Sequence, residues 1–192
     1  MVIRNVKNGD DKRVIAELIY KTDRYIYPSL AKSSYEEAIQ TLIEMLDNEG
    51  TAFNFDNVYV FEYQKKIIGI TVVIDEHTKL TSDYSKWLGV NKYQNHVIEN
   101  YFLPIKNYKK ENELYILALT IDENYRRRGF GTKFLEYFAK QNVKTLSLDV
   151  LVENTPALEL YKSQGFKVIN EYYGYNGYRE KKPKCYHMEK QL

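Results

Sequence analysis

The chain has 192 residues, of which 44% are apolar and 28% charged, close to the average of soluble globular proteins; a disordered chain is excluded and one domain with a sizeable core is expected. Its formal net charge of +2 gives no global field favouring nucleic acid, and a single cysteine, Cys185, excludes an internal disulfide framework and a cysteine zinc cluster. Arg4, Lys7 and Asp10 stand where a signal peptide needs an apolar core, and no apolar run reaches the length of a membrane span, so a soluble, cytoplasmic protein is expected.

Residues 2–6 alternate as a short strand, and Asn8-Gly9-Asp10 breaks them before an amphipathic helix over 11–22 with Val14, Ile15, Leu18 and Ile19 on one face. A second helix starts at Ser34, which has capping-box spacing to Glu37, and ends near 48–50. The aromatic connection Tyr25-Ile26-Tyr27-Pro28 is core filler or a substrate wall. Residues 58–63 and 67–74, rich in β-branched and aromatic side chains, make a hairpin around a polar turn at 64–66. Residues 76–112 then form an insertion with helix-like pieces near 82–88 and 93–102; a segment this long between strands is more often functional than idle.

Residues 114–121 resume as a near-continuous apolar strand, which implies burial on both faces. After the turn at 126–132, Phe130, Phe134, Leu135 and Phe138 define a helix face. A strand follows within 143–152, then a short helix with Thr155 as N-cap, Pro156 at the first helical position and Gly165 past its end. Residues 166–172 and 185–191 read as closing strands, and the basic, tyrosine-flanked stretch 179–184 as a hairpin loop rather than a nucleic-acid arm. The order β-α-α-β-β, insertion, β-α-β-α-β-β is an α/β pattern in one domain spanning 1–192.

Arg126-Arg127-Arg128-Gly129-Phe130-Gly131-Thr132 carries the chemistry. A glycine-rich cationic turn opening a helix suits phosphate, because the first helical amides have no intrahelical partner and the dipole is positive there. Only Phe130 separates the two glycines and Thr132-Lys133 inverts the Lys-Thr order, so this is not a Walker A loop. Phe134 stands where a dinucleotide fingerprint needs its third glycine. What remains is an Arg, two residues, Gly, one residue and Gly between an apolar strand and a helix.

On Arg126, Gly129 and Gly131, on 117–121 before them, and on Asn154, Ala157, Tyr161 and Gly165-Phe166 after them, the chain resembles the GCN5-related N-acetyltransferase (GNAT) superfamily. The resemblance covers about 114–166. It implies a central mixed, mostly antiparallel sheet flanked by helices, and acetyl-CoA as cosubstrate without a metal. It further implies that the amides of 127–132 hold the pyrophosphate and that the strand edge at Leu119 and Ile121 pairs with the pantetheine arm. The cofactor set so implied is Leu119, Ile121, Arg126, Arg127, Arg128, Gly129, Phe130, Gly131, Thr132, Asn154 and Tyr161. Tyr161 matches the family position that donates a proton or hydrogen bond to the departing thiolate.

The implied reaction moves an acetyl group to an unidentified primary amine, small-molecule or peptide, by direct attack. A lysine-like amine of pKa about 10.4 is neutral in about one molecule in a few thousand at pH 7, so a proton acceptor is needed. Where many relatives carry Glu or His, this chain has Tyr115 and Leu117. Asp75, Glu76, Glu113 and Asp149 read as strand-end or surface carboxylates, so no base is assigned and a water chain is equally open. His77, His96 and His187 lack ligand spacing and read as surface or packed side chains. Two other readings stand beside the small-molecule enzyme: a CoA-binding sensor or interaction module, and a peptide or protein N-acetyltransferase. The insertion, together with residues 25–30, is expected to shape the acceptor side.

Overall fold

The computed structural model describes residues 1–30, 34–80, 101, 105, 107, 109–174 and 182–192. The expected helical pieces at 82–88 and 93–102, Tyr101 apart, and residues 179–181 of the 179–184 loop lie outside the described residues.

Strand β1 (Val2–Asn5) leads into helix α1 (Lys12–Tyr20), whose N-cap Asp11 accepts from the Val14 amide. Helix α2 (Tyr35–Asp47) starts as its spacing predicts, with Ser34 accepting from the Glu37 amide at 3.2 Å. Strands β2 (Val58–Tyr63) and β3 (Lys66–Ile74) are joined through Gln64 and Lys65, both at positive φ, the backbone of a tight hairpin turn that follows strand twist. Strand β4 (Glu113–Ile121) runs into the glycine turn and helix α3 (Phe130–Phe138). Strand β5 (Thr145–Leu151), helix α4 (Thr155–Ser163) and strands β6 (Lys167–Tyr173) and β7 (Lys184–Gln191) complete the described elements.

At the start of α4 the structure differs from expectation. Asn154, not Thr155, is the N-cap, and its side chain accepts from the Ala157 amide at 3.4 Å. Asparagine is at least as good a cap as threonine, and Pro156 fits the first turn either way because its missing amide has no partner to lose. Gly165 closes the helix at φ +88°, as its position past the end predicts.

The seven strands form one sheet in the order β1-β2-β3-β4-β5-β7-β6, antiparallel throughout except where β4 runs parallel to β5. Strand β7 enters between β5 and β6, so residues 184–191 lie beside β5, one strand in from the sheet edge. Side-chain alternation divides the core into two. On one face Val58, Val60, Ile70, Val72 and Ile74 pack under α1 and α2, and Ile105 from the insertion is buried with them. On the other, Ile116, Leu146, Leu148 and Met188 pack against Phe134 and Phe138 of α3 and Leu158 of α4. No helix among the described residues is long and apolar enough to cross a membrane.

Candidate active site

Strand β4 has two halves with different neighbours. Glu113 to Ile116 pair with Thr145 to Leu148 of β5, and the ladder ends there. Asp149, Val150 and Leu151 stay paired to β7, while residues 118–121 stay paired to β3. The two parallel strands therefore part, and among the described residues the backbone edge of 117–121 that faces β5 has no strand beside it. At the parting point β3 pairs Val72 with Ala118 and Val73 with Ile116, which leaves Leu117 as the extra residue of a bulge. A bulge bends its strand and ends regular pairing, so Leu117 is the local cause of the opening.

The opening continues into a cleft of about 920 Å³ that runs from the glycine turn, between β4 and β5, to Asp23, Ile26 and Tyr27 after α1. At one end Arg127 and Gly129 both take left-handed backbone, φ +59° and +76°. For arginine that conformation is uncommon and mildly strained. Arg126 helps hold it, since its Nε donates to the Ile121 carbonyl at 2.9 Å. Gly129 is the N-cap of α3 and among the described residues no side chain caps that helix; the amides of its first turn have no intrahelical partner. Around Gly129 a side chain would meet nothing within 4 Å, whereas a Cβ on Gly131 would lie 2.9 Å from Leu160 Cδ2. The two glycines thus do different things: Gly129 leaves open space above the helix start, and Gly131 lets α3 approach α4.

Tyr161 lines the middle of the cleft, buried, with its ring 5.7 Å from that of Phe166. Burial pushes its phenol up to about 12, so it stays protonated and able to donate a hydrogen bond across the neutral range. Across the opening Tyr115 Oη donates to Asp149 Oδ2 at 2.8 Å, and both line the cleft. Asp149 Oδ1 lies 2.8 Å from His187 Nδ1, and His187 Nε2 lies 3.4 Å from Glu189 Oε1. The hydrogen bond that His187 Nδ1–H donates to Asp149 holds the imidazole above its ordinary pKa, against the opposing effect of burial. Nearer the α1 side, Asp23 Oδ1 accepts the Tyr25 and Ile26 amides at 2.6 and 2.9 Å, and burial raises its pKa. Tyr25 Oη donates to Glu153 at 2.9 Å and Arg24 pairs with the same carboxylate, tying this connection to the turn before α4.

The sequence model of the acetyltransferase (GNAT) family matches residues 23–166, which include the parted strands, the glycine turn and Tyr161. The chain belongs to this GNAT family. It is 37% identical over 67 residues to an N-alpha-acetyltransferase of Sulfurisphaera tokodaii, across 31% of this chain and 40% of that protein. It is 35% identical over 71 residues to the probable N-acetyltransferase san of Drosophila melanogaster, across 34% of this chain and 39% of that one. The matches thus span about two fifths of the length of these curated relatives. A solved N-acetyltransferase from Staphylococcus aureus Mu50 has a TM-score of 0.70 at 20% identity, covering 99% of this chain and 100% of its own, a likeness of fold.

Within this GNAT fold, all of the residues expected at the cofactor line the one cleft except Arg128. The Arg128 guanidinium lies over the Tyr125 ring, 5.4 Å from its centroid. Asn154 lines the cleft while capping α4. The aromatic connection is both filler and wall: Tyr27 is buried edge-on against Phe53 at 5.9 Å and also lines the cleft with Ile26. The carboxylates depart from expectation. Asp149, read as a strand-end or surface group, lies within β5 with a side chain only 15% exposed; Glu113 does stand at a strand end, as the first residue of β4, but is buried, accepting from Ser147 Oγ at 2.5 Å. His187, read as merely packed or at the surface, pairs with Asp149 from 38 residues away. The usable signal lay in strand alternation, which puts Ser147 and Asp149 on one side of β5 and His187 and Glu189 on one side of β7.

Proposed function

We propose that the chain transfers an acetyl group from acetyl-CoA to an amine, with the whole described cleft as its active site. The observation that carries this reading is continuity. One cavity joins the uncapped start of α3, the unpaired edge of β4, Tyr161 and the Tyr115–Asp149 pair. The amides at the α3 start and the open space over Gly129 suit a diphosphate. The free edge of 117–121 offers alternating amides and carbonyls to an extended, amide-bearing arm, which binds as an added strand would. Acetyl-CoA supplies the activated acyl group as a thioester. Tyr161, protonated, hydrogen-bonds the departing sulfur; full proton transfer from a phenol near 12 to a thiolate of ordinary pKa about 8.5 is uphill by about 5 kcal/mol, so hydrogen bonding is its role. Asp149, oriented by Tyr115 and His187, takes the proton of the attacking amine.

The acceptor we favour is the α-amino group of a peptide. Two relatives are named N-alpha-acetyltransferase. The chemistry agrees, because an α-amino group of pKa about 7.7–8.0 is neutral in roughly one molecule in ten at pH 7 and needs far less help than a lysine amine. Calorimetric titration with acetyl-CoA, followed by thiol release with a panel of peptides and simple amines, tests the reading. Micromolar binding and release that depends on a free α-amino group support it. Binding without turnover on any amine favours a CoA-binding sensor, and turnover confined to small amines or lysine side chains removes the peptide acceptor.

A further inference from the structure

The face of β4, β5 and β7 that bears Tyr115 carries a run of polar contacts that extends well beyond the cleft. From Tyr115 it passes to Asp149 at 2.8 Å, to His187 at 2.8 Å and to Glu189 at 3.4 Å. Glu189 lies 3.7 Å from Lys110 Nζ, whose half-exposed side chain also pairs with Glu113 at 3.2 Å. The run begins at a cleft-lining phenol and ends at solvent. Register explains it: Asp149 is directly opposite His187, and Ser147 opposite Glu189, so β5 and β7 present these groups on one face. Cross-strand charge pairs are a common way to hold a sheet. Here, however, the imidazole is placed with a carboxylate on each ring nitrogen, and the doubly protonated ring is the form that satisfies both.

We propose that His187, acting through Asp149, relays the acceptor's proton from the cleft to the Glu189–Lys110 end of the sheet face. The inference rests on the transfer reading above. As the amine nitrogen bonds to the acyl carbon and the carbon–sulfur bond breaks, the electron pair leaves with sulfur and the amine proton passes to Asp149. From its neutral Nε2–H form, His187 gives the Nε2 proton to Glu189 and on to solvent while Asp149 passes one to the vacant Nδ1, and the starting tautomer is restored by exchange with solvent once the products have left. The ring has the same charge before and after, and one proton has left the cleft. His187 touches no substrate and is a positioning and relay residue. Among the described residues, the groups facing it are Asp149 and Ser147 on β5, Glu189 and Cys185 on β7, and Asn170 and Tyr172 on β6. Lys167 of β6 lies opposite Glu189, and Lys110 approaches from ahead of β4. Lys110 opposes the second proton and Asp149 and Glu189 favour it.

The test is thiol release from acetyl-CoA by the whole chain between about pH 5.5 and 9, a range that brackets the ordinary imidazole pKa of about 6.5. Alanyl-alanine amide serves as the probe amine, and the hydrolytic background is compared in parallel so that the result does not hang on acceptor choice. His187→Gln is expected to lower kcat at least about tenfold near neutrality, within the range for general acid–base assistance, to change the pH profile and to leave acetyl-CoA affinity unchanged. Added imidazole is expected to restore part of the rate to His187→Ala. Rates within about twofold of wild type, or a loss that is uniform in pH and unrescued, overturn the relay. Should the His187 variants fail to fold, Glu189→Gln, nearer solvent, carries the same expectation of a several-fold loss and an altered profile, and its absence is equally decisive. Calorimetry on the same preparations separates the two ideas. Failure of the wild type to bind acetyl-CoA sinks the transfer reading, whereas binding with an unaffected His187→Gln sinks the relay alone.

Discussion

The two faces of β4, β5 and β7 are made by the same strands and have opposite characters. Toward α3 and α4 they present Leu114, Ile116, Leu146, Leu148, Val150 and Met188, an apolar surface closed by aromatic rings. Toward the other side they present Glu113, Tyr115, Ser147, Asp149, His187 and Glu189, every one joined to a polar neighbour. The apolar face is non-directional and tolerates imperfect geometry, since its stabilisation follows buried area. The polar face is directional, because a buried donor or acceptor that loses its partner is penalised in full. Period-two alternation thus lets one set of strands be held from one side and do chemistry on the other.

Substitutions on either side can break that contrast. The largest expected effect is on the apolar face. Phe134, fully buried and 5.1 Å from the Phe61 ring, when changed to Ala should lower stability by about 3–5 kcal/mol. Urea unfolding measures this, and turnover per folded molecule should change little. Next comes Tyr161→Phe, where loss of a hydrogen bond to a charged sulfur, about 1.5–3 kcal/mol, predicts turnover about 10- to 100-fold slower with acetyl-CoA affinity nearly constant. Unchanged turnover where chemistry limits the rate would remove its assigned role. Tyr115→Phe removes one bond to Asp149 and should slow turnover several-fold while lowering stability by about 1–2 kcal/mol; equal losses in both would make the polar face merely structural.

The smallest effect is a pH dependence. The folded pKa of His187 is raised, so its contribution to stability is fully present below the ordinary imidazole value of about 6.5 and is lost as pH rises through the folded value. His187→Gln should therefore destabilise more near pH 6 than near pH 9. Denaturant midpoints at the two pH values measure it, and an equal penalty at both would mean that the imidazole gains nothing from its carboxylates.

The cofactor end was legible because its parts are consecutive. A helix start, a left-handed glycine and a preceding strand are encoded within Ile121 to Thr132, and local backbone rules suffice to read them. The α2 cap at Ser34 and the closing glycine Gly165 were legible for the same reason. The proton-handling side was not, because Asp149 and His187 meet only when β7 enters the sheet between β5 and β6. That placement is decided by burial of the whole apolar face, which no short window contains. Arg128 is the converse case: composition places it with its two neighbours, but rotation about the turn sends it to Tyr125.

The bulge at Leu117 also bears on how such a strand can change over generations. Before it, the odd positions Glu113 and Tyr115 belong to the polar face and the even positions Leu114 and Ile116 to the helix side. After it the assignment inverts, with Ala118 in the core under α1 and α2 and Leu119 and Ile121 on the helix side. Loss of Leu117 itself would leave each remaining side chain on its present face, as a regular strand, and would remove only the bend that parts β4 from β5. Point substitutions in β4 can be sampled one at a time, but a single-codon loss at any position other than the bulge exchanges the two faces on one side of the gap and so rewrites half the strand at once. Variation in length should accordingly be confined to the segments on either side of β4, and the length of the strand itself should be among the slowest features of the chain to drift.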